Sequence, residues 1–116
     1  DTLVQLGNME LDRGRHAASW RALEKGLKIA ETVERDEAYL SKIPSLAKLH
    51  RAAARFHAEG RSPDAVTWYR RALSDWEELA AAGIAPAIVE PHRRELVTAL
   101  AGLRGDTTRV ARKATE

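Results

Sequence analysis

Glycine and proline divide this chain into segments whose apolar residues recur every three or four positions, and this spacing constrains the fold more than any other feature. No segment sustains the apolar–polar alternation of a β-strand. The pattern predicts five helices, at about 2–13, 16–35, 44–59, 62–82 and 91–103, and a sixth that begins near residue 106. We therefore expect an all-α fold.

Signals for helix ends agree with this division. Ser62 can accept hydrogen bonds from the free amides of the fourth helix, and Pro63 supplies the fixed φ of a first helical position. Pro44 and Pro91 are expected to lie in the first turns of their helices for the same reason. Gly83 follows three alanines and is the expected C-terminal glycine of the fourth helix.

Three glycines that are predicted to lie in turns recur at a near-constant interval. Gly14, Gly60 and Gly105 are separated by 46 and 45 residues. Equal distances after the first two glycines pair Ser19 with Ala65, Leu23 with Tyr69, Gly26 with Ala72, Ala30 with Trp76, and Val33 with Leu79. A hairpin with one apolar face cannot bury that face alone, so we expect the recurring hairpins to stack side by side.

Two stretches resemble tetratricopeptide repeats. "LGNMELDRGRHAASWRALEKGLKIA" places Leu6, Gly7, Gly14, Ser19, Leu23 and Gly26 at the family's characteristic positions. "LHRAAARFHAEGRSPDAVTWYRRAL" does the same with Leu49, Ala53, Phe56, Gly60, Ala65, Tyr69 and Ala72, and "RRELVTALAGLRGDTTRVARKA" resembles a third, truncated copy. The interval exceeds the family's usual length of about 34 residues, so the resemblance is to an extended-period bacterial type.

The resemblance implies a right-handed superhelix of stacked antiparallel hairpins. The chain would form a single domain, 1–116, with repeat 1 at about 1–43, repeat 2 at about 44–90 and a partial repeat 3 at about 91–116. Ser19 and Gly26 replace the family's usual alanines, and Glu10 stands where an aromatic residue is preferred. The chain begins at Asp1 and ends within a repeat, so we expect a part of a larger bacterial protein.

In this family the first helices of the repeats line a groove that binds a peptide or partner segment. The matching positions predict a groove lined by Asn8, Leu11, Asp12, His50, Arg51, His57 and Arg93, with Val4, Ala54, Ala58, His92 and Glu95 near them. Val4 and Ala54 replace the lysine and the second asparagine with which chaperone-binding members hold a peptide's terminal carboxylate, so no such clamp is expected. The alternative is a groove that stays empty or holds another segment of the parent protein.

Sequence motifs of catalysis and of metal binding are missing. There is no cysteine, no Gly-rich phosphate loop and no His-Glu-x-x-His sequence. His50 and His57 share a helical face, but no further ligand accompanies them. We therefore expect a protein that is not an enzyme and that uses no cofactor or metal.

Tyr69 and Trp76 are expected in the core because they share the apolar face of the fourth helix, whereas Trp20 and Trp68 are expected to be partly exposed. Apolar runs are too short to span a membrane, so a cytoplasmic location is expected. The terminal helices lack polar capping sequences, so self-association is a further expectation.

Charge favours protein over nucleic acid as the partner. Nineteen basic and 17 acidic residues give a net charge of +2, which creates no strong field. A nucleic-acid-associated regulatory domain is the alternative function, and it would use Arg51, Arg55, Arg70, Arg71, Arg93, Arg94, Arg109 and Arg112. Acidic residues interrupt this basic surface. The sequence therefore predicts a protein–protein interaction scaffold.

Overall fold

The computed structural model of the chain describes the backbone of residues 2–115 and the side chains of residues 2–103. Five helices follow one another: α1 (Thr2–Asp12), α2 (His16–Ala30), α3 (Tyr39–Glu59), α4 (Asp64–Ala81) and α5 (Pro86–Thr115). No strand occurs over residues 2–115, so the predicted all-α class is confirmed.

Several predicted helix boundaries are wrong. Pro44 and Pro91 each lie at the sixth residue of their helix, because α3 and α5 begin five residues earlier than the sequence pattern predicts. The sixth amide of a helix normally donates to the carbonyl four residues earlier, so each proline removes one hydrogen bond from the second turn of its helix. α2 ends at Ala30, where the hydroxyl of Thr32 donates to the carbonyl of Ile29 (2.7 Å).

The predicted turn at Gly105 and the sixth helix are also wrong. α5 continues as one helix from Pro86 to Thr115, and it includes Gly105. A glycine inside a helix costs about 1 kcal/mol relative to alanine, which is not enough to end a helix by itself. The side chains from residue 104 onward lie outside the described residues.

Three helices end in the same hydrogen-bonded turn. The amides of Arg15, Ser62 and Ile84 each donate to the carbonyl five residues earlier, and the amide of the preceding residue donates to the carbonyl three residues before it. This Schellman pattern needs a left-handed residue, which is Gly14 (φ 74°), Arg61 (φ 54°) or Gly83 (φ 74°). In the second hairpin the left-handed residue is thus Arg61, one position after the glycine that the sequence predicts.

The buried residues form two clusters, and α3 belongs to both. The first cluster joins α1, α2 and α3 through Val4, Leu23, Leu49 and Ala52. The second cluster joins α3, α4 and α5 through Ile43, Ala47, Ala54, Ala65, Tyr69, Ala72, Trp76, Leu79, Val89 and Leu96. Tyr69 and Trp76 are buried while Trp20 and Trp68 are partly exposed, which confirms the prediction made for these aromatic residues.

Consecutive helices pack against each other, and α1 also packs against α3. In the described part of the chain, α2 and α4 do not pack against each other. Both nevertheless contact α3, so an opening remains between them. Over the same residues α3 and α5 do not pack against each other either, although the side chains of Arg51 and Glu95 link them.

Candidate partner-binding surfaces

Two arginines one turn apart on α3 reach the helices on either side. The guanidinium of Arg55 donates to the carboxylate of Asp12 (3.0 Å) and to the amide oxygen of Asn8 (3.3 Å), both on α1. Arg51 donates to the carboxylate of Glu95 on α5. Side chains four residues apart on a helix point in nearly the same direction, so the two arginines connect α1, α3 and α5 on one surface.

We call this surface the ion-pair face, and it consists of Asn8, Asp12, Arg51, Arg55 and Glu95. The buried ring of Tyr69 lies near it: burial raises the pKa of its hydroxyl, and the charges of Arg51 and Arg55 oppose that shift. The side chains of Asp12 and Glu95 are 64% and 50% exposed. Ion pairs this open to water stabilise the fold by less than about 1 kcal/mol, so a ligand can exchange with them at low cost.

The ion-pair face contains three of the seven residues that the sequence predicted for the groove, namely Asn8, Asp12 and Arg51. Leu11 is only 2% exposed, so its assignment to a partner-binding surface is wrong. Val4, Gly7 and Leu11 recur at helical spacing and form the buried side of α1. Leu11 is a core residue.

The two histidines lie on another side of α3. The ring of His50 donates from Nδ1 to the carboxylate of Asp75 on α4 (2.6 Å), and the ring of His57 meets Trp20 of α2 edge-on, with ring centroids 5.1 Å apart. Consecutive helix residues project about 100° apart, which separates His50 from Arg51. The histidines and the ion-pair face therefore belong to different surfaces.

Arg93 also lies away from the ion-pair face. It donates to Glu90 on its own helix (3.3 Å), and this hydrogen bond lowers the pKa of the Glu90 carboxyl. Residues two apart on a helix do not face each other, so Arg93 and Glu95 project to different sides of α5.

Sequence reasoning missed Arg55 as a groove residue. It named Arg55 only among the arginines of the nucleic-acid alternative, yet Arg55 makes more contacts across the ion-pair face than Arg51 does. Its position four residues after Arg51 was the available signal. The acidic partners on α1 and α5 could not be assigned from the sequence because their distances depend on how the helices pack.

The other arginines named for nucleic-acid binding do not form one basic surface. Arg93 and Arg94 both bond to Glu90, and Arg51 and Arg55 bond to carboxylates of other helices. Arg109 and Arg112 lie outside the described side chains. Four of the six arginines that can be placed thus already bond to carboxylates, with Arg93 and Arg94 sharing one, which disfavours a field suited to phosphates.

A cleft of about 210 Å³ opens between α2 and α4. We call it the α2–α4 cleft, and it is lined by Leu27, Ala30, Glu31, Val33, Arg35, Tyr39, Leu46, His50, Trp68 and Arg71. Its apolar residues come from the end of α2, the following link and α3, and α4 adds the ring of Trp68. Arginines lie over the two aromatic rings: Arg35 over Tyr39 (4.5 Å from the ring centroid) and Arg71 over Trp68 (4.8 Å).

No protein-family model, curated protein or solved structure matches the chain. Among the described residues, no three histidine, aspartate or glutamate side chains are grouped so that they could hold a metal ion. No helix in that part of the chain is long and apolar enough to cross a membrane. Function must therefore be argued from the two surfaces themselves.

Proposed function

We propose that this chain is a non-catalytic interaction scaffold of tetratricopeptide type, which binds a protein segment along the ion-pair face. The observation that carries the proposal is the position of Arg51 and Arg55. From the middle helix they reach α5 and α1, so the three alternate helices present polar side chains on one continuous surface. That is the surface on which a stacked helical-repeat protein would bind an extended segment.

The relation of each hairpin to the next helix supports the repeat organisation. Leu49 and Ala52 of α3 belong to the first cluster, and Phe56 packs against it. The residues 47 positions later, on α5, take the same part in the second cluster: Leu96 belongs to it, and Ala99 and Leu103 pack against it. Pro44 and Pro91 are separated by that same interval. α5 thus repeats part of the contact that α3 makes with the first hairpin: over the described residues α3 packs against both α1 and α2, whereas α5 packs against α4.

Recognition would work by exchange of ion pairs. In the free protein the charges of Arg51 and Arg55 are balanced by Glu95 and Asp12, and all four side chains are at least partly exposed. A segment that carries both acidic and basic side chains can replace these pairs with its own, and its backbone can bond to Asn8. Because the helices are already packed, binding requires little ordering of the scaffold.

The test begins with a display selection of random peptides against the wild-type chain. Selected peptides should bind Arg51→Ala and Arg55→Ala at least about tenfold more weakly, since each variant removes a charged hydrogen-bond donor. Asn8→Ala should weaken binding less. Arg70→Ala is the matched control, because Arg70 is exposed on α4 and lies outside the ion-pair face.

Unfolding by urea separates lost binding from lost structure. Arg51→Ala and Arg55→Ala should lower the free energy of unfolding by less than about 1 kcal/mol. The proposal would be contradicted if the selection enriched no peptide. It would also be contradicted if the selected peptides bound both variants as tightly as they bind the wild type.

A further inference from the structure

The α2–α4 cleft has the form of a second recognition site, distinct from the ion-pair face. It exists because α2 and α4 both contact α3 but not each other over the described residues. Leu27, Ala30 and Leu46 supply apolar atoms to its lining, and Trp68 supplies an aromatic ring. The cleft therefore combines a small apolar surface with charged groups.

Its size selects what can enter. Pockets that enclose a whole small-molecule ligand usually measure about 300–1,000 Å³. At about 210 Å³ the α2–α4 cleft is smaller than that range, and it suits one or two apolar side chains of a longer chain that passes over it. An anchoring side chain of a peptide fits this volume better than a free metabolite does.

The charges of the cleft differ in how far they are already paired. Arg35 donates to Glu78 (2.9 Å), and His50 donates to Asp75 (2.6 Å). The guanidinium of Arg71 lies over the ring of Trp68, and Arg71 has no carboxylate partner among the side chains that the structure describes. Arg71 is therefore the lining cation that is available to a ligand.

We infer that the α2–α4 cleft binds an acidic peptide segment, with an apolar side chain of the peptide in the cleft and a neighbouring carboxylate on Arg71. Arg35 and His50 already face Glu78 and Asp75, so Arg71 is the lining cation that is left to attract a carboxylate of the peptide. The guanidinium of Arg71 is already held against Trp68. Little side-chain freedom is therefore lost when a carboxylate bonds to it.

The experiment uses three capped peptides and NMR titration of the ¹⁵N-labelled full chain. The probe is SGEELEEGS, the charge control is SGKKLKKGS, and the anchor control is SGEEGEEGS. The probe should shift the indole N–H signal of Trp68 and the amides of Leu27 and Ala30. Each control peptide should bind about tenfold more weakly, because it lacks either the carboxylates or the apolar anchor.

Two neighbouring arginines provide matched variants. Arg71→Ala should lower the affinity for the probe peptide about tenfold, and Arg71→Lys should lower it less. Arg70→Ala should leave the affinity unchanged, because Arg70 does not line the cleft. Equal binding to Arg71→Ala and Arg70→Ala, or equal binding of SGEEGEEGS, would overturn the inference. Shifts confined to Arg51, Arg55 and Asn8 would also overturn it, and they would support the ion-pair face as the binding surface instead.

Discussion

The two hairpins share one pattern but pack in different ways. In α1–α2, Leu23 covers Gly7, and the hydroxyl of Ser19 donates to the carbonyl of Gly7 (2.7 Å). In α3–α4, the second cluster is filled by the large rings of Tyr69 and Trp76. In the first hairpin the side chains of α2 pack directly on the backbone at Gly7, whereas large side chains fill the second. Enlarging a residue should therefore destabilise the first hairpin, and truncating a residue should destabilise the second.

A second difference concerns the residue four positions before each predicted turn glycine. In the first hairpin it is Glu10, which is 8% exposed and has one carboxylate oxygen without a hydrogen-bond partner. Arg15 lies 3.6 Å from that oxygen. In the second hairpin it is Phe56, whose ring stacks on Trp20 with centroids 4.9 Å apart. The first hairpin thus buries a polar group at a cost that the second avoids.

The largest expected effect is the loss of Trp76. Trp76 is 2% exposed and stacks on His92 of α5 with ring centroids 4.3 Å apart. Trp76→Ala should lower the free energy of unfolding by about 3–5 kcal/mol, because it leaves a large cavity between α4 and α5. Urea denaturation measures the change. A loss below 1 kcal/mol would mean that side-chain volume does not hold the second hairpin together.

Enlarging Gly7 tests the first hairpin. A Cβ atom at Gly7 would lie 2.5 Å from the Cδ2 atom of Leu23, whereas one at Gly102 would meet nothing within 4 Å. Gly7→Ala should destabilise the chain by about 1–2 kcal/mol, since overpacking outweighs the better helix propensity of alanine. Gly102→Ala is the control and should stabilise it by up to about 1 kcal/mol. If both substitutions stabilise the chain, the side chain of Leu23 does not pack directly on the backbone of Gly7.

Replacing the buried carboxylate of Glu10 with an apolar group should remove this difference between the two hairpins. Glu10→Met keeps the length of the side chain and removes the unpaired oxygen, so it should raise the free energy of unfolding by about 1 kcal/mol. Glu10→Gln keeps a polar end, so it should raise the free energy of unfolding by less than Glu10→Met does. Thermal and urea denaturation check both variants. A loss of stability in Glu10→Met would show that the contact with Arg15 matters more than desolvation of the carboxylate.

The smallest expected change in stability concerns the left-handed residues of the two hairpin turns, Gly14 and Arg61. Arg61 has φ 54°, a conformation that costs about 1 kcal/mol in any residue with a Cβ atom, while Gly14 meets the same requirement without that cost. Arg61→Gly should therefore stabilise the chain by about 0.5 kcal/mol after the greater entropy of glycine in the unfolded state is included. Gly14→Ala should destabilise it by about 1 kcal/mol. The two substitutions should therefore change the free energy of unfolding in opposite directions.

Sequence reasoning located what depends on local pattern. Helical spacing alone assigned Tyr69 and Trp76 to the core, and turn glycines marked the ends of α1 and α4. The predicted start of α3 is wrong because proline is most common in the first turn of a helix, whereas Pro44 lies in the second turn of α3. The left-handed position at Arg61 was missed because glycine is the more common choice and Gly60 lies next to it.

The ion-pair face was predicted only in part, for a physical reason. The sequence shows that Arg51 and Arg55 share a side of α3, but it does not show which helices lie beside that side. The prediction for Leu11 is wrong because the family's groove position falls, in this chain, on the buried side of α1. His50 faces α4 because the crossing of the helices brings it to Asp75, and no local pattern encodes that crossing.

Because α3 belongs to both clusters, detachment of either pair of helices exposes part of its buried surface. If α1 and α2 detach, α3 exposes Leu49 and Ala52 to water; if α4 and α5 detach, it exposes Ala47 and Ala54. Neither half can separate without weakening the central helix that the other half needs. The whole array should behave as one thermodynamic unit, in which the amide protons of α3 exchange with solvent more slowly than those of any other helix.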